Sequence, residues 1–181
     1  PTLLDQAIAP ADAVAYLEMH IEQAPVLDTR GLPLGIVEAI AGQTRADVQF
    51  VGAANHAGTT PMAGRRDALT GAAEWILEVE GTGRSTPGLV ATVGRIDLEP
   101  GATNAVPGCC LVTLDVRHAV DGARRAAVDR LVGRANAIAG ARGLFVTCEV
   151  RLDQPSTSMD PSITEILERA VERSGTFVHR M

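Results

Sequence analysis

Four histidines, His20, His56, His118 and His179, are the residues of this chain best suited to acid–base or metal chemistry near neutral pH. His20 stands between Glu18 and Glu22 in Tyr16-Leu-Glu-Met-His-Ile-Glu, which alternates apolar and polar residues. In an extended strand His20, Glu18 and Glu22 share one face, where imidazole and carboxylates can ligate a divalent cation. A zinc site needs three or four ligands, so periodicity alone reads this segment as a solvated strand face. His56 lies in Asn55-His-Ala-Gly-Thr-Thr-Pro, a loop whose small residues let a ligand approach the backbone. His118 ends a strand pattern and His179 lies near the last residue, and their positions alone give neither a chemical role. Arg45, Asn104 and Arg117 stand at turns or strand ends. An arginine can clamp a carboxylate bidentately, and an asparagine amide can polarise a carbonyl or steady an oxyanion. Taken singly, each also reads as a surface residue or turn former, Asn104 before Ala-Val-Pro-Gly above all.

Other chemistries are excluded by what the sequence lacks. It has no Gly-rich phosphate loop, no Gly-x-Ser-x-Gly elbow and no His-Glu-x-x-His helix. Its three cysteines, Cys109, Cys110 and Cys148, are odd in number, two are adjacent, and none forms Cys-x-x-Cys. They read as small hydrophobes in a reducing compartment, with strand alternation turning Cys109 and Cys110 to opposite faces. All 16 basic residues are arginine, paired only at Arg65-Arg66 and Arg124-Arg125, against a net charge of −6. With 3% aromatic residues, this argues against a nucleic-acid partner. No apolar run reaches the roughly 18 residues of a membrane helix, and no signal peptide is evident, so a cytoplasmic protein without a membrane partner is expected.

The elements that must position these residues follow from periodicity. At 181 residues, 46% hydrophobic and 21% charged, the chain can bury a core. Strand-like runs are expected at Tyr16–Glu22, Gly35–Gly42 and Asp47–Val51, the last two broken by Gly42-Gln-Thr. A helix over Arg66–Glu80 has Ala68, Leu69, Ala72, Trp75, Ile76 and Val79 on one face, Asp67 in its first turn and Gly81 after its end. Strands at Leu89–Leu98, Cys110–His118 and Leu144–Leu152 flank a long helix that Asp121 caps and Gly143 closes. A short helix, Ser162–Arg173, begins behind Asp160-Pro161. From residue 45 to 152 the order is strand, helix, strand, strand, helix, strand. That order predicts an α/β (α+β) fold: a ferredoxin-like domain with a four-stranded antiparallel sheet and two helices on one face. The flanking segments look like the edges of another α/β domain, cut at both ends.

Taken together, the segments carry more than their grammar. Tyr16-Leu-Glu-Met-His-Ile-Glu-Gln-Ala-Pro, Gly35-Ile-Val-Glu-Ala-Ile-Ala-Gly-Gln-Thr-Arg, Gly52-Ala-Ala-Asn-His-Ala-Gly-Thr-Thr-Pro-Met, Arg65-Arg-Asp-Ala, Thr103-Asn-Ala-Val-Pro-Gly and Asp115-Val-Arg-His occur in this order. The set resembles metal-dependent amidohydrolases of the aminoacylase and carboxypeptidase family, in the branch of N-carbamoyl-L-amino-acid hydrolases and allantoate amidohydrolases. The resemblance implies a catalytic domain with two divalent ions, zinc or manganese, and an inserted ferredoxin-like lid that forms a homodimer. On that template residues 1–34 end the first half of the catalytic domain, 35–152 are the lid, and 153–181 start the second half. It implies His20 as one metal ligand and His56 as the histidine that stabilises the tetrahedral oxyanion, often in the partner subunit's site. Gln23, Arg45, Asn104 and Arg117 would then bind a small ureido or carboxylate substrate.

The family's remaining metal ligands and its general base, a glutamate, have no counterpart in this sequence, and Glu18 and Glu22 do not match them. The metal pair is therefore not expected to be held by this chain, which by itself is expected to be inactive. Ala24 departs from the family's usual glycine and is expected to tighten the turn there. The competing readings are a stand-alone dimerisation or ligand-binding module, and a related aminoacylase or peptidase. The Arg45, Asn104 and Arg117 set favours the ureido branch.

Overall fold

The computed structural model describes residues 12–181. In chain order the elements are α1 (Val26–Arg30), β1 (Ala39–Ile40), β2 (Gly42–Val51), β3 (Asn55–His56), α2 (Ala68–Ser85) and β4 (Val90–Glu99). There follow β5 (Ala105–Val106), β6 (Cys109–His118), α3 (Asp121–Arg142), β7 (Phe145–Gln154), β8 (Thr157–Ser158) and α4 (Pro161–Arg173). The chain divides into two compact units, one of Ala39–Ser158 and one of the segments on either side of it.

In the central unit the main sheet runs β4-β6-β2-β7, antiparallel throughout, as a split βαβ arrangement requires. β2 is the hub, paired with β6 from Gly42↔His118 to Val51↔Cys109 and with β7 on its other side. Alternation divides its ten residues cleanly. Thr44, Ala46, Val48 and Phe50 are buried under the helices, while Gln43, Arg45, Asp47, Gln49 and Val51 take the open face. β6 repeats the pattern, with Cys110, Val112, Leu114 and Val116 inside. The thiol of Cys110 is thereby pushed up to about 11, burial being the main cause, so it behaves as a packed hydrophobe.

Trp75 of α2 and Leu131 of α3 close the core, both with no exposed surface. The indole N–H cannot stay unpaired there, and it donates to the Leu131 carbonyl at 2.8 Å, tying the helices together. Phe50 meets the indole at a 6.2 Å centroid distance. Surface ion pairs Arg134–Glu78 (2.6 Å) and Arg142–Glu74 (2.7 Å) line the same helix contact.

Several local expectations are corrected. Gly42 does not break a strand; it begins β2, because a Cβ there would lie 2.5 Å from Asp121 Oδ1 and 2.7 Å from the Ser156 nitrogen. Gly81 does not end α2, which continues to Ser85 because Thr82 is buried and accepts a hydrogen bond from Arg130 at 3.1 Å. Asp67 is the N-cap of α2 rather than part of its first turn, accepting from the amides of Leu69 (2.9 Å) and Thr70 (3.2 Å). Asp121 does not cap α3. Its carboxylate accepts from Arg124 Nη2 (3.0 Å) and the Ser156 amide (3.1 Å) instead. Tyr16–Glu22 forms no strand: among the described residues nothing pairs with it, and Leu17, Met19 and Ile21 are all exposed.

In the flanking unit, Ile36 pairs in parallel with Arg180, and the Arg180 guanidinium joins Glu38 (3.0 Å) to Glu168 (2.8 Å). Asp160 caps α4 as expected, accepting from Ser162 (2.8 Å) and Ile163 (3.1 Å), with Pro161 in the first turn.

Arg124 is fully buried and is held by Asp121, Asp153 and Thr44. Its guanidinium bond keeps the Asp153 carboxyl below the ordinary range, and at Asp121 the Ser156 amide first and Arg124 second do the same against desolvation. A carboxylate depressed on folding contributes stability above its unfolded pKa, near 4, and loses it as pH falls through the lower folded value. Arg124→Met should therefore lower stability at neutral pH and much less in acid. It should also flatten the acid limb of a urea-midpoint series between about pH 3 and pH 7.

Candidate functional site

Past the β2 and β6 ends at Val51 and Cys109, the two chains stay together through glycines. The Gly52 amide donates to the Gly108 carbonyl at 2.8 Å. A Cβ on Gly52 would stand 1.9 Å from the Arg66 carbonyl oxygen, and one on Gly108 would stand 2.7 Å from the Ala54 nitrogen, so only glycine fits either place. This close approach lets β3 and β5 pair, Asn55↔Val106 and His56↔Ala105. The Ala57 amide then donates to the Asn104 carbonyl at 2.9 Å. His56 and Asn104, remote in sequence, are thus neighbours on one exposed edge.

The loop fixes the histidine's chemistry. The Gly58 amide donates to His56 Nδ1 at 3.0 Å, so the neutral ring carries its proton on Nε2 and offers that N–H outward as a donor. A Cβ on Gly58 would crowd the ring at 3.2 Å. The His56 carbonyl accepts from both the amide and the hydroxyl of Thr60, at 3.1 and 2.8 Å. Arg65 then clamps the loop from outside, donating to the Ala57 carbonyl at 2.6 Å and the Thr60 carbonyl at 3.2 Å.

A second group lies on the open face of the sheet. Arg45 stands opposite Asp115, and Gln43 opposite Arg117. Asp115 accepts from Arg45 Nε at 3.0 Å, Arg117 Nε at 2.8 Å and Arg117 Nη2 at 3.0 Å. The Arg117 hydrogen bonds, reinforced by Arg45, hold its carboxyl below the usual range despite partial burial. Gln43 donates to Gln154 Oε1 at 2.8 Å, while its own Oε1 is buried without a partner among the described residues. Six residues of β6 separate Cys109 from Asp115, a rise of about 20 Å. The histidine–asparagine pair, on the separate β3–β5 ribbon, therefore sits beyond one end of the main sheet, and the arginine pair towards its other end.

His20 and Gln23 belong to the flanking unit. His20 is exposed, and its Nδ1 lies 2.5 Å from the Ile21 carbonyl oxygen, which places the proton on Nδ1 and leaves Nε2 as the ligating nitrogen. Glu22 is otherwise engaged, accepting from the amides of Val26 (2.8 Å) and Leu27 (2.9 Å) at the start of α1, and Glu18 accepts from the Tyr16 hydroxyl. No cluster of three or more His, Cys, Asp or Glu side chains able to hold a metal occurs among the described residues. These residues therefore do not fit a complete metal centre. Gln23 has φ of 57°, a left-handed conformation uncommon outside glycine, so the strained position in this turn is Gln23 and not Ala24.

Residues 39–142 match the sequence profile of the peptidase dimerisation domain. This chain belongs to that family. The chain is 37% identical over 182 residues to an allantoate deiminase of Arabidopsis thaliana, covering 90% of this chain and 35% of that protein. It is 38% identical over 176 residues to an N-carbamoyl-L-amino acid amidohydrolase of Geobacillus stearothermophilus, covering 96% of this chain and 42% of that protein. A solved hydantoinase/carbamoylase family amidase of Burkholderia ambifaria superposes with a TM-score of 0.87 at 34% identity, over 90% of this chain and 40% of that one. The chain thus spans about two fifths of the length of these relatives. The family resemblance and the ferredoxin-like fold read from sequence are both borne out. No helix among the described residues is long and apolar enough to cross a membrane.

Sequence reasoning assigned no role to Asp115, Arg65 or Gly58, although all three lie in the motif blocks. Alternation along β6 puts Asp115 and Arg117 on one face, a signal available in advance. The register bringing Arg45 beside them is a tertiary fact. Arg65→Met should loosen the histidine loop without unfolding the domain. The expected outcome is faster hydrogen exchange at Ala57, Gly58 and Thr60, with amides of β2 and β6 unchanged.

Proposed function

We propose that this chain is the dimerisation and substrate-recognition part of an amidohydrolase that cleaves the C–N bond of a linear ureido or amide substrate bearing a carboxylate, with N-carbamoyl-L-amino acids and allantoate as the candidate substrates. The observation that carries this reading is the His56 tautomer set by the Gly58 amide. Addition of water to a ureido carbonyl places negative charge on its oxygen, and an Nε2–H set by the Gly58 amide, on the strand paired next to Asn104, is suited to receive it. Arg117, with Arg45, would hold the substrate carboxylate, since a planar guanidinium pairs with it in two directions. Gln23 is assigned a substrate-binding role in the complete enzyme. The relatives' names support the reaction class, allantoate deiminase and N-carbamoyl-L-amino acid amidohydrolase among them.

In the complete enzyme, His20 is assigned one place in a pair of divalent ions, zinc or manganese. One imidazole is far short of such a centre, so this chain without the remaining ligands would be inactive. The separation of about 20 Å along β6 favours a site assembled from two subunits. In that C2 homodimer, His56 and Asn104 of one protomer serve the substrate held by Arg117 of its partner.

Two kinds of variant in the complete gene product test this, with ammonia release from N-carbamoyl-L-amino acids and allantoate as the readout. His56→Ala should lower kcat by about 10²–10³ with KM little changed, as loss of an oxyanion donor does. Arg117→Gln should act mainly on KM. When the two variants are unfolded together and refolded, and assayed at substrate far below the raised KM of Arg117→Gln where each alone is nearly inactive, half the dimers are mixed and each holds one intact site. About one quarter of wild-type activity should then return. No recovery would mean that His56 and Arg117 act within one protomer.

A further inference from the structure

The open face of the sheet holds two guanidinium groups where like charges should drive each other away. Arg45 and Arg117 extend from adjacent strands, two residues out of register, so they are diagonal neighbours on one face separated by about 7–8 Å at the backbone. Asp115 lies directly opposite Arg45 and two residues before Arg117, and its two oxygens take three N–H bonds from the pair. Both Nε–H donors are used in this way. Each guanidinium plane is therefore fixed by its inner edge, which leaves donors on the terminal nitrogens for a ligand. Two positive charges and one negative charge leave a net charge of +1 in the cluster. The next charged group along β2, Arg151 with Asp47 at 2.9 Å and with Glu149, holds one positive and two negative charges, so it adds no free cation and one negative charge in excess.

We propose that Asp115 is the positioning residue of this anion site, orienting both arginines and matching them to a single carboxylate. The inference rests on the carboxylate-binding role given above to Arg45 and Arg117, and it adds the residue through which they act. It makes a prediction opposite in sign to simple electrostatics. Removing a negative charge beside two arginines should strengthen anion binding if charge alone matters. If orientation matters, binding should weaken, because freed guanidinium groups must be ordered again by the ligand.

The test is titration of the full chain and its variants with N-carbamoylglycine, followed by calorimetry and by the ¹⁵N signals of the arginine Nε–H groups. Asp115→Asn should bind about tenfold more weakly, the scale of a lost charge-assisted hydrogen bond. The slowly exchanging Nε–H signals of Arg45 and Arg117 should disappear, with far-UV circular dichroism unchanged. Asp115→Glu should recover part of both. Equal or tighter binding by Asp115→Asn, while Arg117→Gln abolishes binding, would overturn the role of Asp115 and leave the carboxylate reading standing. Failure of the unaltered chain to prefer N-carbamoylglycine over its uncharged amide would overturn both.

Discussion

A guanidinium group with no exposed surface sits at the base of the central sheet, and much of the local architecture follows from its need for partners. Arg124 reaches from α3 to Thr44 on β2 and Asp153 on β7, while Asp121 holds it from the preceding turn of its own helix. A buried charge left without such partners is strongly destabilising, so these elements are fixed in relation to one another. The same Asp121 carboxylate accepts the Ser156 amide, next to the β1–β8 pair that begins and ends the unit. Gly42 has no side chain because that carboxylate fills the space a Cβ would take. One polar knot thus sets where the central strand starts, how α3 begins and where the chain leaves the sheet.

From that anchored base, β2 serves two purposes through its alternation. Its inward residues pack against Trp75 and the helices, and its outward residues lie on the face away from α2 and α3. A substitution at Arg45 can therefore alter recognition with little effect on the core, whereas one at Val48 or Phe50 must be felt in packing first. At the far end of the same strand the constraint changes from charge to close approach. Gly52 and Gly108 let backbones meet without side chains, and that contact lets a two-residue strand present His56 beside Asn104.

The fold was largely legible because it depends on periodicity. The 3- and 4-residue spacing of α2, the alternation of β6 and the Asp160-Pro161 start of α4 are local signals of strong type. The misreadings share one cause. Gly42 and Gly81 are breakers by propensity, but a crowded carboxylate at one and a buried Thr82 just past the other kept the elements going. Asp121 looks like a cap until a buried arginine claims it. Tyr16–Glu22 has the alternation of a strand and no partner among the described residues. The site residues were legible only as a constellation of motifs. Their pairing, His56 with Asn104 and Arg45 with Arg117, depends on register and on glycine contacts that no single motif encodes.

That pairing bears on how catalysis is divided. The proposed oxyanion donor and carboxylate clamp must meet one substrate only a few ångströms long, yet one lies on the small β3–β5 ribbon beyond one end of the main sheet and the other towards its opposite end. A strand cannot shorten to bring them together, since its rise of about 3.4 Å per residue is fixed by its hydrogen-bonded geometry. Two copies related by a two-fold axis resolve the mismatch, because the axis can lay the histidine end of one sheet against the arginine end of the other. On this view dimerisation is part of the chemistry: each protomer holds half of two sites, and loss of the interface would remove oxyanion stabilisation even with every side chain intact.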